Sequence, residues 1–395
     1  MKRDDYTSKR AMSTNNGCRN IGLYVHIPFC KSRCIYCDFY STVRGERQDD
    51  YVDALCREAD MRRDEADGLR LSSIYLGGGT PSQLSAGNME KLFAHLAKTF
   101  GLNGDEDIEV TMECNPDDVS DDFAKQLGLL PVNRVSMGAQ TFNEQRLSML
   151  RRRHHSDDVA RAIDRLRRAG ISNISVDLMF GFPGETMEEW ERDIHSAIAL
   201  KADHLSAYSL TYEEGTPLMR MVEQGMVTPV DDELSRRMYE RLIDRLDDAG
   251  YCHYEISNWA LPHRQSRHNS SYWDDTPYIG IGAAAHSYDR KTRSWNIADI
   301  DSYIHTIGKG VRPAEYELID RCTHYNDRIT TALRTRQGLP LRELSSEERS
   351  FLMNAARQAL SQGLLTISDD HLRLTRQGLF ISDSIMSDLI WINEE

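Results

Sequence analysis

The sequence predicts an α/β fold. Six parallel β/α units wind either as an open sheet or as a partial, three-quarter (β/α)6 barrel, and a small C-terminal α+β domain of winged-helix-like order follows. Three observations predict it. Short β-rich runs alternate with longer amphipathic ones from about residue 21 to 210. Turn signals such as Gly170 and Gly181-Phe182-Pro183-Gly184 fall where crossovers need them. Residues suited to chemistry gather at the ends of the predicted strands, where α/β folds build their sites.

Residues 1–20 are polar, lack the apolar stretch of a secretory signal, and read as a flexible tail. Strands are expected over 22–27, 73–77, 108–112, 134–138, 172–177 and 204–209. The amphipathic stretches between them cover 49–63, 86–100, 121–129, 157–169 and 187–200. Residues 211–311 form a less regular connecting region with one helix, over 232–249, and an aromatic-rich stretch over 251–288. Residues 312–395 form the C-terminal domain. There a helix over 347–362 puts Leu352, Ala355, Ala356 and Leu360 on one face, and two strands flank a charged turn at Asp369-Asp370.

A chain of 395 residues has room for two or three domains, and its 28% charged residues are ordinary for a globular protein. No apolar run approaches the ~20 residues of a membrane span. A net charge of −14 argues against gripping nucleic acid or an anionic membrane. Without a signal segment the chain reads as cytoplasmic, where clustered cysteines are metal ligands before they are disulfides. Cys18, Cys56, Cys114, Cys252 and Cys322 stand singly, and core packing is their default.

Cys30, Cys34 and Cys37 crowd into eight residues with C-x3-C-x2-C spacing, just after the first strand. Three thiolates on a tight loop can hold an Fe–S cube and leave one iron open. A structural zinc site needs a fourth ligand, which Cys56 or His26 could supply, so the spacing alone leaves both readings open. Gly77-Gly78-Gly79-Thr80-Pro81 follows the second strand and is either a tight turn or a close approach to a ligand. Glu113, Gln140 and Asp177 stand at the ends of the third, fourth and fifth strands, and each alone could be a solvated or capping residue. Gly181 to Thr186 reads as a structural turn. Arg151-Arg152-Arg153-His154-His155 reads first as a solvated helix end.

The cysteine run, with Tyr36 before its last member, resembles the signature of the radical S-adenosylmethionine (SAM) superfamily. The resemblance implies the three-quarter barrel and a [4Fe–4S] cluster on Cys30, Cys34 and Cys37. It implies that the open iron takes the amino and carboxylate groups of SAM, and that one electron cleaves SAM to a 5′-deoxyadenosyl radical. It also implies SAM contacts at Tyr24, Gly78, Gly79, Thr80 and Glu113.

Stretches 24–30, 77–82, 112–116, 138–143 and 177–183 are similar to the oxygen-independent coproporphyrinogen III oxidase group, over a span from about residue 20 to the C-terminus. One branch of that group is the oxidase; the other is the HemW-type heme chaperones. Phe39 stands where the oxidase pattern has a fourth cysteine, the N-terminal extension is short, and His268-Asn269-Ser270-Ser271-Tyr272-Trp273 matches a chaperone motif. The chaperone branch implies heme as a further ligand, with His268 its candidate iron ligand ahead of His26, His253 and His286. It also implies an unidentified acceptor protein and a monomer or dimer. Gln140, Arg152 and Asp177 align with polar residues around a second SAM in the oxidase, which keeps that activity as the alternative. A winged-helix DNA-binding regulator is a third reading. Residues 321–395 carry nine Arg against ten Asp and Glu, with no Lys, and the predicted helix over 347–362 carries only Arg349 and Arg357, which is poor for a DNA surface.

Overall fold

The structure, a computed structural model, describes residues 20–102 and 107–392; the expected tail up to residue 19, and Cys18 with it, lies outside the described residues. Six strands, β1 (Asn20–Ile27), β2 (Arg70–Gly78), β3 (Glu109–Cys114), β4 (Arg134–Gln140), β5 (Asn173–Phe180) and β6 (His204–Ser209), lie side by side in chain order and pair in parallel. The crossovers carry α1 (Gln48–Met61), α2 (Ala86–Phe100), α3 (Asp121–Leu127), α4 (Glu144–Met149), α5 (Ser156–Arg168) and α6 (Met187–Ala199). Local sequence fixes their ends. Ser85 caps α2 by accepting from the Asn88 N–H, Gly101 ends it in the left-handed region, and Thr186 with Glu189 forms a capping box on α6.

Every strand of the barrel alternates. Leu23 and Val25, Ile74 and Leu76, Val135 and Met137, and Ile174 and Val176 point outward into one core with Leu55, Leu92, Leu96, Ile163, Leu166 and Ile194 of the helices. Each such side chain contributes about 1.5–3 kcal/mol relative to exposure. Of the intervening positions, Tyr24, Tyr75, Glu113, Ser136, Asp177 and His204 are polar and line an interior cavity. A parallel sheet covered on both faces by apolar layers reads as continuous apolar runs; this one has a dry outer face and a polar inner one.

β5 runs three residues beyond its expected end because Leu178 and Phe180 continue the outward apolar row and pair with β6. Asp177 is therefore interior to its strand and does not end it. The connecting region is more regular than expected. After α7 (Pro217–Glu223) and α8 (Asp232–Asp248), β7 (Cys252–Glu255) and β8 (Asn258–Ala260) extend the sheet beyond β6. A short helix, α9 (Arg267–Ser271), precedes β9 (Tyr278–Ile281), which pairs in parallel with β1. β10 (His286–Tyr288), β11 (Thr292–Asn296) and β12 (Ala314–Leu318) continue from it, with α10 (Ile300–Gly308) between the last two. Strands of three to five residues are too short for periodicity to reveal.

The C-terminal part has its own core and a three-stranded sheet. It comprises α11 (Arg321–Ala332), β13 (Leu339–Pro340), α12 (Ser346–Ala355), α13 (Arg357–Ser361), β14 (Leu365–Ser368), β15 (His371–Leu374), α14 (Arg376–Leu379) and α15 (Ser382–Asp388). The single helix expected over 347–362 is two, because the backbone leaves helical ψ at Ala356, where ψ is −9°. Among the described residues no helix is long and apolar enough to cross a membrane.

Candidate functional site

The chain leaves β1 into a loop closed by two backbone bonds, Cys30 N–H to Thr42 O (2.8 Å) and Thr42 N–H to Pro28 O (2.7 Å). Cys30, Cys34 and Cys37 are free, partly buried, and line the mouth of the barrel cavity, which measures about 660 Å³. Cys30 Sγ lies 3.4 Å from Thr80 Oγ1. Burial pushes the Cys30 and Cys37 thiols up, Cys37 to about 11. Among the described residues no three Cys, His, Asp or Glu side chains converge closely enough for one metal ion. The fourth ligands a zinc site would use are engaged elsewhere: His26 Nδ1 meets the Tyr24 hydroxyl and Nε2 the Tyr40 carbonyl, both at 3.0 Å, and Cys56 sits in the helical core. Three separated thiols around an open mouth fit a polynuclear cluster with one free iron better than a tetrahedral ion.

The middle three residues of the basic run, Arg152 to His154, turn away from water. Arg151 takes a left-handed backbone (φ 59°) after α4 and turns the next residues inward. Arg152 donates to Cys34 Sγ (3.6 Å), Asn115 Oδ1 (2.8 Å) and the Gly138 carbonyl (2.6 Å). Gly138 leaves it room, since a Cβ there would stand 3.2 Å from Arg152 Nη2. Arg153 pairs with Asp117 and Asp118, and Asp118 also takes Lys31 of the cysteine loop. Only Arg151 and His155 of the five are exposed. Charge-run statistics failed because these cations answer a local cluster of thiols and carboxylates.

The glycine run is a close approach between two strand ends. A Cβ on Gly79 would come within 2.6 Å of Pro28 backbone, and one on Gly78, whose φ is +106°, would enter the His26 ring. Gly79 N–H donates to Ile27 O and Thr80 N–H to Phe29 O, which fixes the cysteine loop against β2. Gly78 N–H and the Tyr75 hydroxyl donate to Glu113, at 3.3 and 2.7 Å. Burial raises the Glu113 carboxyl to about 7, with the Tyr75 bond pulling the other way. Tyr24 stacks on Tyr75 at 6.3 Å between ring centres. Gln140 is the last residue of β4 and is left-handed (φ 67°), a conformation that costs about 1–3 kcal/mol off glycine. Asp177 accepts from the Ser136 hydroxyl at 3.2 Å, and burial raises its carboxyl.

All nine residues expected to bind cofactor, Tyr24, Gly78, Gly79, Thr80, Glu113, Gln140, Arg152, Asp177 and His268, line this one cavity with the three cysteines. His268, expected as an iron ligand, is closed in this structure. Nδ1 lies 2.8 Å from Ser73 Oγ, Nε2 lies 2.9 Å from the Tyr272 hydroxyl, and burial lowers its pKa to about 3. Tyr75, Arg134, Ser136, His204 and Ser206 also line the cavity and were not anticipated. The polar–apolar alternation within each strand is the signal that could have found them.

Comparison with known proteins places this architecture. Residues 24–197 match the family model of the radical SAM superfamily, and residues 319–381 that of the HemN C-terminal domain. The chain is 34% identical over 372 residues to the heme chaperone HemW of Lactococcus lactis, covering 93% of this chain and 96% of that protein. It is 33% identical over 374 residues to the heme chaperone HemW of Mycobacterium tuberculosis, covering 93% and 94%. Among solved structures it superposes on coproporphyrinogen III oxidase (HemN) from Escherichia coli, described as a radical SAM enzyme, with a TM-score of 0.80 over 94% of this chain and 90% of that one. Identity there is 20%, so that likeness concerns the fold. Radical SAM membership implies a [4Fe–4S] cluster and SAM. The chain belongs to the radical SAM superfamily and, within it, to the family of the heme chaperone HemW.

Proposed function

We propose that this protein is a cytoplasmic heme chaperone, a monomer or dimer that binds a [4Fe–4S] cluster, SAM and heme and hands the heme to an acceptor protein. The observation that carries it is the likeness over 93% of the chain to the two HemW heme chaperones. Phe39 supports it: where the oxidase pattern has a fourth cysteine, this chain exposes an aromatic ring, 65% accessible, at the cavity mouth.

Cys30, Cys34 and Cys37 would hold the cluster, which supplies an open iron position and an electron. Arg152 sets a fixed cation against the Cys34 sulfur. The Gly78–Thr80 backbone and Tyr24 would wall the SAM position, with Glu113 accepting from a ribose hydroxyl. Gln140 and Asp177 line the same cavity. His268 can reach a heme iron only once its Nε2 has left the Tyr272 hydroxyl.

The test is anaerobic. Cluster-loaded protein with SAM, reductant and coproporphyrinogen III should give no protoporphyrinogen IX by mass, while a parallel sample binds heme in a Soret titration. Product would make the protein an oxidase. The iron ligand is tested alongside. Tyr272→Phe frees Nε2 and should tighten heme binding, and His268→Ala should weaken it and alter the spectrum. If neither variant moves affinity or spectrum, His268 is a wall residue.

A further inference from the structure

Arg134 opens β4, so its Cα lies at the opposite end of the barrel from the cysteine loop, which follows the C-terminal end of β1. Its side chain faces the cavity and is 2% exposed. Nε is buried with no hydrogen-bond partner, and among the described residues the guanidinium makes neither a hydrogen bond nor an ion pair. Other buried arginines of the chain differ. Arg62 bonds Glu65 and the Gly280 carbonyl, and Arg146 pairs with Glu189.

The groups that feel the Arg134 charge are His204, His268, Tyr75, Tyr254 and Asp177. Both histidines are kept neutral, first by burial and then by this charge. Asp177 is the one carboxylate among them. It is not within ion-pair reach, and hydroxyls of Ser136 and Ser175 hold it instead. A buried cation without a partner is among the costliest states a fold can keep. The folded chain thus leaves a five-donor fork, with the geometry to take a carboxylate in two parallel bonds, aimed into space large enough for a ligand.

We propose that Arg134 anchors a carboxylate of the ligand that fills the barrel beneath the SAM position. This deepens the functional reading above and rests on it: His268, Asn269 and Tyr272 line the same cavity, so the tetrapyrrole would enter it with a propionate arm toward Arg134. SAM carries the same chemical group, and the experiment separates the two sources.

Full-length, cluster-loaded protein is titrated with heme and with heme dimethyl ester, and separately with SAM, in the wild type, Arg134→Gln and Arg134→Lys. If the propionate is the ligand, the wild type binds heme at least tenfold more tightly than the ester. Arg134→Gln abolishes that preference and leaves ester affinity unchanged, while Arg134→Lys keeps part of it. If the carboxylate is that of SAM, Arg134→Gln weakens SAM at least tenfold and leaves the heme-to-ester ratio alone. The proposal is overturned if Arg134→Gln leaves both the heme-to-ester ratio and SAM affinity within twofold of wild type, whether or not the wild type prefers heme. A wild type that binds no heme sinks the chaperone reading, and the SAM arm then decides Arg134 alone. Should Arg134→Gln fail to fold, judged by its thermal melt, Arg134→Lys stands in, because it keeps the charge and loses the fork; heme-to-ester ratio and SAM affinity both within twofold of wild type then overturn the proposal.

Discussion

Glu113 sits between the Tyr75 hydroxyl and the Gly78 N–H, with its carboxyl raised by burial to about 7 from an ordinary 4.5. A carboxyl raised on folding gives the fold most support below its unfolded pKa, and that support drains away as pH rises from about 4.5 to 7. Ligand binding should run the other way, because a ribose hydroxyl donates best to the carboxylate. SAM affinity of cluster-loaded protein should therefore rise with pH around a midpoint of about 7 and level off once the carboxyl is fully ionised. Glu113→Gln should bind more weakly and lose that slope; a slope retained in the variant would assign the titration to another group. At this scale the sequence was legible where spacing is local. The three cysteines, the glycine run and Glu113 are marked by neighbours a few positions away. Tyr75, Arg134 and His204 were not, since a polar residue inside a strand matters only once its face is known. The basic run, read as a solvated helix end, misled because the sequence neighbours of Arg152 are basic while its partners in space, Cys34 and Asn115, come from other loops.

The six barrel strands were placed because each is a short β-rich run bounded by a helical pattern, and their ends lie within three residues of those expected. Most of the elements missed, α4, α7, α9 and β7 to β12 among them, are short, and their stability comes from tertiary pairing; α11, at 12 residues, is the longest of those missed. Where β1 meets β2 the packing makes a sharp prediction. A methyl at Gly79 would press on Pro28 backbone at 2.6 Å, and backbone cannot swing aside. Gly79→Ala should cost about 1–3 kcal/mol and displace the cysteine loop. Iron content after reconstitution should fall along with the melting temperature. Gly87, in the first turn of α2 with nothing within 4 Å of its Cβ position, is the control, and Gly87→Ala should be neutral or stabilise by up to about 1 kcal/mol. Equal iron content in the two variants would mean that the loop does not depend on that contact.

The C-terminal domain touches the barrel through a chain of contacts that ends at the cavity wall. Glu255 and Thr335 form a β-bridge, Ile256 N–H donates to Arg334 O (3.0 Å), and Arg336 N–H donates to Tyr254 O (2.9 Å). The Arg334 guanidinium lies 5.1 Å over the Trp273 ring, and Arg376 pairs with Asp244 at 2.7 Å. Tyr254 in turn meets His204 Nε2 at 2.8 Å, and His204 Nδ1 lies 2.7 Å from the Ser175 hydroxyl. A barrel with its edge and an interior histidine held from outside should not behave as an independent unit. A chain ending at Leu318 should melt about 5–10 °C below the full chain, given a few kcal/mol of lost contacts spread over a domain of this size. It should also bind SAM more weakly, because Tyr254 no longer fixes the His204 side of the cavity. Arg334→Ala, which keeps the domain and removes only the cation over Trp273, should lower stability by about 1 kcal/mol and leave SAM binding intact. Circular-dichroism melts with SAM dialysis on the three proteins separate the cases. A shortened chain with wild-type melting and SAM affinity would show that the cavity wall stands without its outer support.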